Sequence, residues 1–297
     1  MKIMKKLSIA LAFILIFTSV FSVSANADEG TRTEKFFAEI AETQAITLYD
    51  PMKGESVNGL NFKKTSMRIV EDENGEAYSE MCGFLKLGFL DVEVYVNKNG
   101  MFMYYPQFNR HMDFSFVWKE QTEDILGEFL GFEENDLIPM PSYPEYMILK
   151  SSVTKTDVEG YGNLYVETFT YDIEAVVDDL VSKDIIPDPA LYGISLEDNA
   201  ALSQFYWNHS EDYSGFASSL LYENEATFVF DENGILVAAD YFTGEGKEVN
   251  SVVFELGSFG GFSAGADAED FAMPESSANL EVFMIFVKLI FSILVNN

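Results

Sequence analysis

Cysteine and histidine are nearly missing from this sequence: one Cys and two His stand among 297 residues. A lone thiol, Cys82, excludes an intramolecular disulfide, so stability has to come from burial. It lies in the apolar run Met81-Cys82-Gly83-Phe84-Leu85, with Lys86 the only nearby base, which predicts a buried, inert thiol. With so few nitrogen and sulfur ligands, no zinc pattern of the H-E-x-x-H or C-x-x-C kind can be written. Positive charge is scarce too. Lys and Arg number 18 against 49 Asp and Glu, a formal net charge of −31, which excludes a basic nucleic-acid binder.

Apolar residues, by contrast, are plentiful. They make up 48% of the chain, aromatics make up 15%, and the mean hydropathy is +0.03 despite the acidity. Much of the excess sits at the two ends. Residues 1–27 read as a secretory signal peptide: Lys2, Lys5 and Lys6 form the basic start, Leu7 to Phe17 the apolar stretch, and Ala25-Asn26-Ala27 the small-x-small cleavage pattern. Cleavage before Asp28 would remove three lysines and take the charge from −31 to about −34. Residues 279–297 form an apolar tail. Within it, 280–295 spans about 24 Å as a helix, short of the roughly 30 Å hydrocarbon core. Lys288 in its middle would cost about 2.5–3.5 kcal/mol in a bilayer. A helix docked on the protein's own apolar surface is the first expectation for this tail, with membrane contact or oligomerisation as alternatives.

Between the ends, turn chemistry is the clearest local signal. Asn-Gly pairs at 58–59, 74–75, 99–100 and 233–234 suit the positive φ angles of tight hairpins. Val92 to Val96 and Met101 to Tyr105 predict one hairpin, and Ala226 to Phe230 with Ile235 to Phe242 another. Further strands are expected over 62–70, 77–87, 164–171 and 249–256. Met101, Met103 and Tyr105 point to one face while Phe102 and Tyr104 point to the other, so both faces need cover. Helices are available for that. Glu34 to Ala45 puts Phe36, Phe37, Ile40 and Ala41 on one side; Thr122 caps a second with Ile125, Leu126, Phe129 and Leu130. Asp172 caps a third carrying Ile173, Val176, Val177, Leu180 and Val181 up to Pro187, and Ser195 starts a fourth running to Trp207.

Motifs that would carry chemistry are incomplete. Gly261-Phe262-Ser263-Ala264-Gly265 matches the nucleophile elbow, but that motif needs a following helix and a later histidine, and His111 and His209 both precede it. Ser152-Val153-Thr154-Lys155 matches S-x-x-K without the accompanying S-D-N and K-T-G elements. An EF-hand registered on Asp157 fails at Tyr161 and Thr168. Acidic runs such as Glu71-Asp72-Glu73 read as solvated loops. No catalytic residue, metal ligand or cofactor is assigned.

The stretch Val92-Glu93-Val94-Tyr95-Val96-Asn97-Lys98-Asn99-Gly100-Met101-Phe102-Met103-Tyr104-Tyr105-Pro106 resembles secreted Gram-positive proteins of the lipoprotein-carrier (LolA/LppX-like) superfamily. Residues 165–172 and 226–234 are similar to further hairpins of those domains, and Phe271-Ala272-Met273-Pro274 to their final strand end. The resemblance implies a strongly curved antiparallel sheet, half-barrel-like, with helices across its mouth and a concave face that accepts acyl chains. A helical insertion near 172–220 and the apolar tail depart from the usual pattern.

Composition, patterning and resemblance together predict an α+β protein: a single domain over 28–278 built on a curved antiparallel sheet covered by helices, followed by an apolar C-terminal helix. The expected function is that of an exported, non-enzymatic binding or carrier protein whose partner is a lipid or other hydrophobic small molecule, extracellular or associated with the cell envelope. Tyr95, Phe102, Tyr104, Phe228 and Phe230 are the expected lining residues. Two alternatives stand beside it. One is an envelope interaction protein with a packed core and a membrane-associating tail; the other is a hydrolase using paired carboxylates or Ser263.

Overall fold

A computed structural model describes residues 30–50, 60–71, 74–75, 77–113, 146–184, 186–209, 225–245 and 248–275. The expected signal peptide, the helix capped by Thr122, the turn at Asn58-Gly59 and the C-terminal tail lie outside these residues. In chain order the elements are helix α1 (Arg32–Thr43) and strands β1 (Ala45–Tyr49), β2 (Leu60–Glu71), β3 (Ala77–Leu87), β4 (Leu90–Asn97), β5 (Gly100–Tyr105) and β6 (Arg110–Asp113). Next come β7 (Met147–Val158), β8 (Gly162–Tyr171), α2 (Ile173–Ser182) and α3 (Asn199–His209). The last four are β9 (Glu225–Phe230), β10 (Leu236–Glu245), β11 (Glu248–Phe254) and β12 (Gly261–Ala264). Strands dominate and pair antiparallel, as the hairpin turns require. No helix of the described residues is long and apolar enough to cross a membrane.

The chain divides into two compact units. The first holds β1 to β6 and β12, in the order β6-β5-β4-β3-β2-β1-β12. Its hairpin β4–β5 has the expected alternation. Val92, Val94, Val96 and Tyr105 join one apolar cluster with Met101 and Met103, and Tyr95 and Tyr104 join another with Phe102. At the far end, Gly260 donates its N–H to the carbonyls of Tyr49 and Asp50, both at 3.0 Å. A Cβ there would sit 2.6 Å from the Tyr49 carbonyl oxygen, so only glycine lets the chain turn so close into β12.

The second unit holds α1, α2, α3 and β7 to β11, ordered β7-β8-β9-β10 with β11 on the other side of β10. Helix α1 opens with a capping box: Glu34 N donates to Thr31 Oγ1 at 3.1 Å, and Thr31 N donates to Glu34 Oε2 at 2.7 Å. Its buried face, Phe36, Phe37 and Ile40, is the one the sequence predicts. Phe36 meets Phe230 edge-on with centroids 5.7 Å apart, and Phe37 meets Phe228 at 5.5 Å. Under the start of the helix, the buried carboxylate of Glu167 accepts from Arg32 N (2.9 Å), Thr33 N (2.8 Å) and Thr33 Oγ1 (2.7 Å). That satisfies two amides which a helix N-terminus leaves unpaired.

Helices α2 and α3 build a small core together: Val176, Val177, Leu180, Ile186, Leu202, Phe205 and Tyr206 are all buried in one cluster. Asp172 caps α2 as expected, accepting from Ala175 N at 3.1 Å. Two boundaries differ from expectation. Helix α2 stops at Ser182, before Pro187, where Asp184 takes a left-handed φ of 57°. Helix α3 is capped by Asp198, which accepts from Ala201 N at 3.0 Å, while Ser195 closes the preceding turn through Glu197 N. Asp and Ser are near-equal caps, and Asp198 is the one adjoining the helical run.

Candidate functional site

The five expected lining residues part company. Phe228 and Phe230 belong to the second unit, buried beneath α1. Tyr95, Phe102 and Tyr104 come together in the first unit with Cys82 and Phe84, and Phe271 and Met273 pack against them. Registers explain the grouping, because Cys82 lies opposite Tyr95 and Tyr95 opposite Phe102 on neighbouring strands, so their side chains share one face.

Polar groups border that face. Lys64 Nζ lies 2.6 Å from Asp270 Oδ2 and 3.6 Å from Asp267 Oδ2. Ser66 Oγ donates to Asp270 Oδ2 at 2.7 Å, and Thr47 Oγ1, 3.1 Å from Ser66 Oγ, donates to the Gly265 carbonyl at 3.0 Å. Burial by itself would lower the Lys64 pKa, but the hydrogen bond and charge of Asp270 outweigh it and raise the pKa, so the ammonium persists. A lysine held charged cannot take a proton from Ser66. The network works instead as a clamp, fixing the turn Ala268–Phe271 against β1 and β2. Phe271, expected near a strand end, is in that 3-10 turn, where the Arg68 guanidinium lies 4.2 Å from its ring centre.

The nucleophile candidates are equally quiet. Cys82 is fully buried, and burial, then the charges of Asp270 and Glu93, push its thiol up to about 12. Burial also raises Tyr95, whose hydroxyl donates to Glu93 Oε2 at 2.6 Å. Ser263 stands within β12, opposite Thr47, and its hydroxyl donates to Tyr49 OH at 3.3 Å. That is a strand position, not the strand-to-helix turn of a nucleophile elbow. His111 is on β6, at the other end of the unit's strand order, six spacings or about 29 Å along the sheet. Among the described residues, no three His, Cys, Asp or Glu side chains converge as metal ligands would.

The opposite face of the same strands differs in kind. Leu85, Val92, Val94, Val96 and Tyr105 are buried there, with Phe62, Met81, Met101, Met103 and Met112 half-buried around them. Cross-strand rows place Met67 beside Met81, Met81 beside Val96 and Val96 beside Met101. A second row joins Val94, Met103 and Met112. Sequence reading placed Met101 and Met103 on this side but did not see Met81 and Met112 beside them, because cross-strand neighbours depend on register.

The chain is therefore defined by its architecture: an antiparallel sheet protein with one clamp-bordered aromatic face and one methionine-rich apolar face in its first unit. Comparison with known proteins adds no relative: no family matches the chain and no curated protein does.

Proposed function

We propose that this protein is an exported, non-enzymatic binder or carrier of a lipid or similar hydrophobic molecule, held on the methionine-rich face of β2 to β6. The observation that carries this reading is the half-buried methionine set around an aliphatic floor. Methionine side chains are unbranched and polarisable, so they adapt to acyl chains of varying shape. Each methylene removed from water contributes about 0.8 kcal/mol, so a dozen suffice for tight retention without any reactive group. The carrier-like architecture, a curved half-barrel with helices across its mouth and the apolar tail as a further cover, belongs to the same proposal. So does delivery outside the cell through the N-terminal 27 residues.

Native protein extracted with organic solvent should release a lipid detectable by mass spectrometry, and delipidated protein should take up a fluorescent fatty acid. Met103→Asp places a charge on the proposed surface and should weaken uptake by roughly tenfold or more. The conservative Phe228→Leu, beneath α1, should leave uptake unchanged. Repeated absence of bound lipid together with no uptake would sink the proposal.

A further inference from the structure

Strand β7 is unlike the other long strands. It ends its unit's strand order and, among the described residues, pairs on one side only, with β8. Residues 148–157 are exposed on both faces, Ile148 and Val153 each to 54% and Leu149 to 43%. Such an edge displays a row of backbone donors and acceptors that templates another strand. We propose that β7 is the seam of a homodimer, pairing antiparallel with β7 of a second copy about a two-fold axis at Val153.

The registers favour a second copy over another occupant. Val153 lies opposite Val166, Val166 opposite Val229, and Val229 opposite Ala238. This apolar cross-strand row runs through β10, β9 and β8 and stops at the open edge. A two-fold at Val153 sets Val153 against its own counterpart and continues the row into the other copy without a break. Ser152 then faces Thr154, and Ser151 faces Lys155, so no like charges stand directly opposite. The β7 segment carries Lys150, Lys155 and Asp157, and with Glu225 paired to Lys150 the edge is close to neutral in a chain of −31. It is thus a place where two acidic molecules approach with little repulsion.

Register shifts at Leu149/Ser151 and Lys155/Val158 bracket the regular stretch 151–155. They confine pairing to a short segment and to one register. Because the contact is isologous, each edge is consumed on pairing and assembly closes at two copies without running on into a fibre.

Sedimentation equilibrium of the purified protein should give a dimer at micromolar concentration, tighter at physiological than at low salt as the repulsion between copies is screened. Val153→Asp should raise the dissociation constant roughly tenfold or more with an unchanged circular dichroism spectrum. Opposed residues on antiparallel strands sit about 4.5–5.5 Å apart, within disulfide reach. Val153→Cys should therefore cross-link two copies under mild oxidation. Lys155→Cys alone should not, whereas Ser151→Cys with Lys155→Cys should. A monomer at all concentrations overturns the proposal, as does a dimer indifferent to Val153→Asp. Equal cross-linking through Lys155→Cys alone overturns it too, because it removes the register.

Discussion

Cys82 shows what burial does to a single group. Its thiol, ordinarily near 9.0, rises to about 12, and Tyr95 beside it is raised as well. In the folded state both groups keep protons that the unfolded chain gives up, so the unfolded state binds fewer protons and stability falls as pH climbs above about 9. Each such group lowers stability by up to about 1.4 kcal/mol per pH unit in its window. Lys64 acts in the same direction, since its contribution is complete below about 10.5 and is lost as pH passes its raised folded value. Urea unfolding near pH 8 and near pH 10.5 should show this loss, and Cys82→Ala should reduce it. The same thiol should ignore a disulfide reagent until the protein unfolds. Rapid native-state labelling would contradict the burial that places it.

At the scale of elements, what the sequence revealed depended on whether local chemistry and tertiary surroundings agreed. The β4–β5 hairpin was legible because its alternation and its Asn-Gly turn point the same way. Helix α2 was legible through Asp172 and its apolar spacing. The composition of residues 152–155 favours a strand, but the full length of β7 was not expected, because Ser151, Ser152, Thr154 and Thr156 give a run polar on both faces, the signature of an exposed edge. Strand β12 was hidden in a glycine-rich stretch, and long-range pairing, with β1 among its partners, makes it a strand. Of the candidate site, the two-faced alternation of β5 could be read ahead of time. The separation of Phe228 and Phe230 from Tyr95, Phe102 and Tyr104 could not, since it depends on strand order. The Thr31 and Glu34 capping box was not read from the sequence, although its three-residue spacing is a local signal. Glu167, by contrast, reaches α1 from more than a hundred residues away. Glu167→Ala strands two helix amides and the Thr33 hydroxyl, and should cost about 2–4 kcal/mol in denaturant unfolding while leaving the cores intact. A loss below 0.5 kcal/mol would mean that water replaces the carboxylate without penalty.

For the whole molecule, the imbalance of 18 basic against 49 acidic residues is the dominant long-range force. Among the described residues, Lys63, Lys64, Arg68, Lys150 and Lys183 are each engaged with a carboxylate. The remaining acids repel one another, and raising salt from about 10 mM to about 150 mM shortens the screening length from roughly 30 Å to 8 Å. The thermal midpoint should therefore rise with salt, by about 2–4 °C for each kcal/mol of repulsion removed. A midpoint that falls would show that ion pairs outweigh the repulsion. The same field turns anionic lipid headgroups away, which is why an apolar surface, not a charged one, has to recognise the proposed ligand.

The pairing of β12 with β1 has a consequence for how the chain reaches its folded state. Thr47 and Gly265 are 218 residues apart, and Ser66 and Asp270 are 204 apart. The second unit likewise closes on itself through Thr33 and Glu167, 134 residues apart. Each unit thus takes one piece from early in synthesis and another from much later. At ribosomal rates of about 5–20 residues per second, β1 waits on the order of ten seconds or more for its partner. Until residue 270 emerges, the first strands cannot complete their sheet. The proposed export would gain from that delay, because a translocation channel handles an unfolded polypeptide. Under that proposal, long-range closure of this kind would keep the polypeptide threadable during its passage and let it fold on the far side.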